Sequence, residues 1–159
     1  MTTNKLAKGA AIAAIYAILT MFLPAYSFLQ FRLSEVMVLL AYFNPFYIIP
    51  LTLGCAIANI ASPFGIVDVI FGSLATFLAT TAISKTKNMY LASLWPTFFC
   101  FIIGLEIVLL SAQPLNFFVI TSQIMISEFI VVTIIGVPFM KQLMKNDYFK
   151  KIVLNVEDV

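Results

Sequence analysis

The sequence predicts an all-α integral membrane protein, a bundle of six transmembrane helices, and three observations carry that prediction. Of the 159 residues, 62% are hydrophobic and 14% aromatic, and the mean hydropathy is +1.06. A water-facing domain of this length needs far more polar surface, so most of the surface must meet lipid. Pro, Gly, Asn and Ser collect in short breaks that divide the chain into apolar segments. Finally, the lysines sort to one side of a six-helix path, as shown below.

The first segment, "MTTNKLAKGAAIAAIYAILTMFLPAYSF", is basic at its start and then apolar. A secretory signal begins in the same way, but Tyr16, Met21 and Phe22 stand where a cleavage site needs small residues. More hydrophobic segments follow, which reads as a retained first helix. Breaks at "LPAYSFLQFR", "YFNPF", "ASPFG", "SKTKNMY" and "SAQPLN" then give helices over 8–26, 33–43, 46–61, 66–84, 89–111 and 116–144. Together these make residues 1–159 a single transmembrane binding domain. Helices two and three are short for a hydrocarbon core of about 30 Å and need protein neighbours to satisfy their ends. No internal repeat appears, so an inverted-repeat transporter gains no support.

Lys5 and Lys8 precede or open helix one, Lys85 and Lys87 lie between helices four and five, and Lys141, Lys145, Lys150 and Lys151 close or follow helix six. Six spans place all of them on one side. By the positive-inside rule that side is the cytoplasm, with both termini there. Without these lysines and the tail acids Asp147, Glu157 and Asp158, the charged residues left are Arg32, Glu35, Asp68, Glu106 and Glu128.

All five fall in the outer half of the bundle. Arg32 and Glu35 stand at the outer end of helix two, and Asp68 near the outer start of helix four. Glu106 lies about 7 Å inside the end of helix five and Glu128 roughly 18 Å into helix six, at 1.5 Å per residue. Asn59, at the end of helix three, belongs to the same tier. Ionisable groups inside a bilayer are costly and mark function when they face a cavity or a partner. Four carboxylates against one arginine suit a cationic or N–H-rich ligand, because a desolvated carboxylate needs such partners. Tyr26, Phe28, Phe31, Tyr42, Phe64, Phe71, Phe98 and Phe101 are candidates for flat walls around an aromatic ring.

Helix one carries a separate signal. In "LAKGAAIAAIYAILT", Ala10 and Ala14, and likewise Ala13 and Ala17, repeat at a spacing of four, which lets another helix approach closely in a membrane. Whether that helix belongs to this bundle or to a partner is open at this point. Chemistry on covalent bonds is disfavoured: the chain lacks histidine, Cys55 and Cys100 lie apart in apolar stretches, and no metal set, cofactor motif or G-x-x-x-x-G-K-[ST] loop is present.

The block "FRLSEVMVLLAYFNPFYIIPLTLGCAIANIASPFGIVDVIFGSLAT", residues 31–76, closely resembles the QueT family of queuosine-precursor substrate-binding (S) components of energy-coupling-factor transporters. "AAIYAILT" in helix one and "SEFIVVTIIGVPF" in helix six resemble it too. The resemblance implies a bacterial plasma-membrane subunit that captures 7-aminomethyl-7-deazaguanine or a close relative from outside. Uptake is implied to depend on a coupling transmembrane subunit (EcfT) carried by two ATPase subunits (EcfA and its paralogue). Ala10, Ala13, Ala14 and Ala17 match the family's docking surface for that coupling subunit.

The implied ligand suits the charges. Its ring N–H and exocyclic amine form a pair of donors for one carboxylate, its aminomethyl group is a cation for another, and its carbonyl needs a donor such as Asn59 or Arg32. On this expectation Glu128 and Asp68 hold ligand donors, Arg32 orients Glu35, and Glu106 ranks behind them. Two positions depart from the family pattern: "TFFCFIIGLE" has aromatics where an asparagine precedes the glycine of helix five, and Ser127 stands where the family has glycine. Two rivals stay open, an S component for another vitamin-like ligand and a self-sufficient carrier that couples a proton through Glu128 or Asp68.

Overall fold

The computed structural model describes residues 3–22 and 32–154, which form helices and short turns. Helix α1 is Thr3–Phe22, α2 Leu33–Phe43, α3 Pro45–Asn59, α4 Ile66–Lys85, α5 Met89–Leu110 and α6 Phe117–Leu143. A seventh helix, α7, covers Asp147–Leu154. Four of them, α1, α4, α5 and α6, are long and apolar enough to cross a membrane, whereas α2 and α3 are shorter. The chain is a multi-pass membrane protein.

Helix starts are costly where water is scarce, because their first N–H groups lack partners. Four asparagines solve this locally. Asn44 accepts from Phe46 N, Asn88 from Tyr90 N and Leu91 N, Asn116 from Phe118 N and Val119 N, and Asn146 from Tyr148 N and Phe149 N. These caps start α3, α5, α6 and α7. The turn into α4 runs through Gly65 at φ +58°, a left-handed conformation that favours glycine.

The structure revises several expected boundaries. Helix one begins at Thr3 rather than at residue 8, because Lys5 and Lys8 ride on its first turns. Its expected end, 23–26, lies outside the described residues. Helix α2 is wound as a 3₁₀ helix over Leu33–Leu39 before turning α-helical at Leu40–Phe43. At about 2.0 Å per residue instead of 1.5 Å, that winding lets a short element reach further across the bundle. Helix α5 is interrupted at Ser93, where Pro96 cannot donate a backbone hydrogen bond to Ala92. Helix α6 widens to a π-helix over Phe129–Gly136, just ahead of Pro138, whose ring would crowd the Ile134 carbonyl of a regular helix. Helix α7 was not foreseen, since its lysines and acid hide a one-sided apolar pattern that buries only Val153.

Helix α3 packs between α1 and α4, and α5 between α4 and α6. Helix α2 touches α1, α3, α4 and α6 and is buried among them: Val38, Leu39 and Ala41 have no exposed surface. That explains how a short helix survives in a membrane protein, because its ends and sides meet protein rather than lipid. A close seam joins α1 to α3, where a side chain at Gly54 would fall 2.8 Å from the Ala13 carbonyl oxygen.

The lysine-bearing ends meet at one end of the bundle. Lys8 Nζ donates to the Ile152 carbonyl, Tyr47 Oη to the Val153 carbonyl at 3.2 Å and Asn44 Nδ2 to the Leu154 carbonyl at 3.4 Å. Tyr42 Oη donates to the Lys87 carbonyl at 2.7 Å, and Lys141 Nζ sits 4.1 Å from the Tyr90 ring centroid. The intramembrane acids lie towards the opposite end.

Candidate functional site

Two neighbouring hollows occupy the end of the bundle away from the lysines. The inner chamber, about 60 Å³, lies between α2, α3, α4, α5 and α6. Arg32, Glu35, Cys55, Thr76, Phe99 and Glu128 line it, with Val38, Ala75 and Ile124 among its apolar walls. Above it, a vestibule of about 440 Å³ is lined by Thr20, Ala58, Asn59, Ser62, Phe64, Asp68 and Ile107. Arg32 and Ile103 line both hollows, so the guanidinium stands at the junction.

The start of α2 places two charges here. Arg32 is extended, at φ −91° and ψ 97°, and its carbonyl accepts from Glu35 N at 3.0 Å to open the 3₁₀ helix. In that winding residues three apart share one face, so both side chains enter the chamber. Among the described residues no ion pair ties Arg32 to Glu35; the Tyr16 hydroxyl instead donates to Glu35 Oε1 at 2.5 Å. Tyr16 is 1% exposed and comes from α1, which a second hydrogen bond, Thr20 to Ser34 at 2.7 Å, fastens to the start of α2. Glu35 is thus oriented from behind, and Arg32 keeps its donors for the cavity.

Glu128 ends the regular part of α6, immediately before the π segment, and lines the chamber while 7% exposed. Arg32 is the shared cationic neighbour of Glu35, Glu106 and Glu128. Glu106, on α5, is 1% exposed, and neither carboxylate oxygen has a hydrogen-bond partner among the described residues. Its neighbouring acid is Asp68, which faces the vestibule from the first turn of α4.

The structure therefore gathers Arg32, Glu35, Asn59, Asp68, Glu106 and Glu128 in one region, but changes what some of them do. Asn59 lines the vestibule, yet its amide N–H groups are turned to the Asp68 carbonyl at 3.1 Å and to Cys55 Sγ at 3.5 Å. It braces α3 against α4 and has no donor left for a ligand, which leaves Arg32 as the donor expected to meet a carbonyl oxygen. A side chain at Gly72 would fall 2.2 Å from Asn59 Nδ2, so the glycine makes room for this brace.

The aromatic walls are also different from those expected. Phe98 and Phe101 are 53% and 41% exposed and face outward from α5, and the wall residue is Phe99. Tyr42 is engaged at the lysine end, and Phe71 lines neither hollow. Phe64 lines the vestibule as expected, whereas Tyr26, Phe28 and Phe31 lie outside the described residues.

The alanines of α1 divide between two faces. Ala10 and Ala14 are exposed, together with Ala7 and Ala11, and form an outward stripe. Ala13 and Ala17 are 7% and 4% exposed and belong to the core, where Ala13 meets α3 at Gly54. The residues that sequence reasoning missed are Tyr16, Thr76 and Phe99. Only Tyr16 gave a sign, as the one polar-tipped residue on the Ala13–Ala17 face of an alanine-rich helix.

Comparison with known proteins identifies the family. Residues 6–145 match the family described as QueT transporter. The queuosine precursor transporter QueT of Lactococcus lactis subsp. cremoris (strain MG1363) is 49% identical over 73 residues, covering 43% of this chain and 43% of that protein. The match thus spans under half the length of that relative. No solved structure matches. With nearly its whole length inside the family match, the chain belongs to the QueT transporter family.

Proposed function

We propose that this chain is the substrate-binding S component of an energy-coupling-factor transporter and captures a queuosine precursor, 7-aminomethyl-7-deazaguanine or a close relative. The observation that carries the reading is Arg32 beside Glu35 and Glu128 in a chamber walled by Phe99. A guanine edge presents one acceptor next to two donors. An arginine flanked by carboxylates presents the complement, and a buried site built this way strongly rejects ligands that leave its polar groups unpaired. On the scale of about 10–15 Å³ per water-sized site, the inner chamber admits an edge rather than a whole bicycle. The ring body is accommodated where the chamber opens into the vestibule.

In this reading the six helices α1 to α6 make the membrane domain, with both termini and the lysine end in the cytoplasm. Ligand enters through the vestibule from outside. The chain carries no phosphate-binding loop in its 159 residues, and the energy for uptake comes from two ATPase subunits acting through a coupling membrane subunit. The exposed Ala10 and Ala14 stripe supports that docking, since small residues allow a partner helix close approach.

Calorimetry on the purified chain in detergent, followed by uptake into vesicles, tests the proposal. The solitary chain is expected to bind 7-aminomethyl-7-deazaguanine, to lose that binding in Glu128→Gln and Arg32→Ala, and to accumulate ligand only when the coupling subunit, both ATPases and ATP are present. Accumulation driven by a proton gradient with no ATPase would overturn it in favour of a self-sufficient carrier.

A further inference from the structure

The start of α5 carries three features that neither hollow uses: a cation held on a ring, a fixed basic turn and an exposed apolar face. Lys141 Nζ, from the last turn of α6, stands 4.1 Å from the Tyr90 ring centroid, within the range in which an aromatic face attracts an ammonium. Both residues are exposed and line neither hollow. Lys87, also exposed, lies three residues before Tyr90 in the turn from α4, and the Tyr42 hydroxyl fastens that turn by donating to the Lys87 carbonyl at 2.7 Å. Among the described acids only Asp147, at the start of α7, belongs to this end of the bundle, so little negative charge offsets its lysines.

Trp95, the chain's only tryptophan, marks the same level. It is 36% exposed, and its indole N–H donates to Thr86 Oγ1 at 2.9 Å, which pins the ring to the turn that carries Lys87. Tyrosine and tryptophan beside lysines are the residues that settle where lipid head groups meet hydrocarbon. Beyond them α5 exposes Leu91, Leu94, Phe98 and Phe101, so the basic patch runs on into an apolar face. A soluble anion or an acidic protein matches the charge but not that face. A phospholipid with a negative head group matches both: its phosphate accepts from the ammonium groups, which offer donors alone, and its acyl chains lie along α5. A zwitterionic phospholipid has the same chains and lacks the net charge.

We infer that Lys87, Tyr90 and Lys141 form a binding site for the head group of an anionic phospholipid, on the outer surface of the bundle and apart from the cavity. The inference is independent of which small molecule the cavity takes. Trp95 supplies the reporter. The purified chain is reconstituted into phosphatidylcholine bilayers that contain increasing fractions of brominated phosphatidylglycerol or, in parallel, brominated phosphatidylcholine with the same chains, and quenching of Trp95 fluorescence reads which lipid lies beside it. Phosphatidylglycerol is expected to be preferred there by about fivefold or more, the scale of one lysine at a charged membrane surface. Because the exposed lysines are screened, the preference should shrink as salt is raised.

Two double variants locate the site. Lys87→Gln with Lys141→Gln should bring the two lipids to within about twofold of parity, whereas Lys150→Gln with Lys151→Gln, exposed on α7, should keep the wild-type preference. The preference is a ratio taken within each protein, so a change in Trp95 exposure cancels. Should the first double variant resist purification, Lys141→Gln alone carries the test, with the preference expected to fall by about threefold. Parity in the wild-type chain would overturn the site, as would a preference that survives loss of Lys87 and Lys141. Equal loss in both double variants would overturn it too, in favour of a diffuse attraction spread over the whole lysine end.

Discussion

Gly54→Ala tests the framework that holds Glu35 in place. The added methyl group would sit 2.8 Å from the Ala13 carbonyl oxygen, 2.9 Å from Tyr16 Cβ and 3.2 Å from Ala13 Cα, whereas ordinary contact begins at 3.4 Å. The shortfall against the carbonyl is about 0.6 Å. Two of the three atoms are backbone, so no rotamer change relieves it and α1 must retreat as a unit. Overpacking of this kind costs about 1–3 kcal/mol, partly offset by about 0.5–1 kcal/mol of helix propensity gained on replacing glycine. A net loss of about 1–2 kcal/mol corresponds to a Tm lowered by about 2–8 °C, read as thermal unfolding of the purified protein in detergent. Because Tyr16 is on the displaced face and donates to Glu35, ligand affinity should fall as well. Ala13→Gly should not rescue either effect, since it leaves the carbonyl where it is. A Gly54→Ala protein that melts at or above the wild-type temperature with undiminished affinity would refute the close α1 to α3 seam.

Three further outcomes follow from single contacts. Tyr16→Phe removes only the hydroxyl that Glu35 accepts; with about 1.5–3 kcal/mol for a hydrogen bond to a charged group, calorimetry should show ligand affinity reduced by about 10-fold or more, and an unchanged value would end the orienting role of Tyr16. Ala14→Trp, on the exposed stripe, should preserve ligand binding and abolish co-purification with the coupling subunit, while Ala13→Trp, inside the α1 to α3 seam, should fail to fold; the docking reading falls if Ala14→Trp loses ligand binding too. Deleting residues after Asn146 removes the buried Val153 and the carbonyl acceptors of Lys8, Asn44 and Tyr47, so the melting temperature should drop by an amount equivalent to about 3 kcal/mol, with ligand affinity unchanged because the cavity lies at the other end.

What the sequence disclosed is what depends on local chemistry. Breaks were visible because Asn44, Asn88 and Asn116 must cap helices where no water will do so. The polar tier was visible because charge is so rare between the lysine clusters that each instance had to be accommodated. Which face a residue presents was not visible: Ala13 and Ala14 are adjacent and chemically identical, yet Ala13 packs against α3 at Gly54 and Ala14 is exposed. The same holds for Phe98 and Phe99, adjacent and identical, of which Phe98 is 53% exposed and Phe99 lines the cavity. The bracing contacts of Asn59 were not visible either, because its partners are Cys55 one turn back on α3 and the Asp68 carbonyl of α4.

The packing beneath the cavity bears on how such a protein delivers a ligand. Val38 lines the inner chamber, and from there towards the lysine end α2 continues into Leu39 and Ala41, packed with Ile83, Val131, Val132 and Val137, every one of them at most 1% exposed. Interiors of this kind are close-packed and do not open by small side-chain shifts. A ligand held by Arg32, Glu35 and Glu128 would have to cross that whole aliphatic layer to leave by the lysine end, which requires helices to separate and apolar surface to be exposed at about 25 cal/mol per Å². Among the described residues no such layer closes the vestibule side. Under the proposed function, a fold with this packing is suited to capture and retain, and its delivery step would draw on work done by another component. That asymmetry is why the S-component reading fits the packing better than a carrier acting alone.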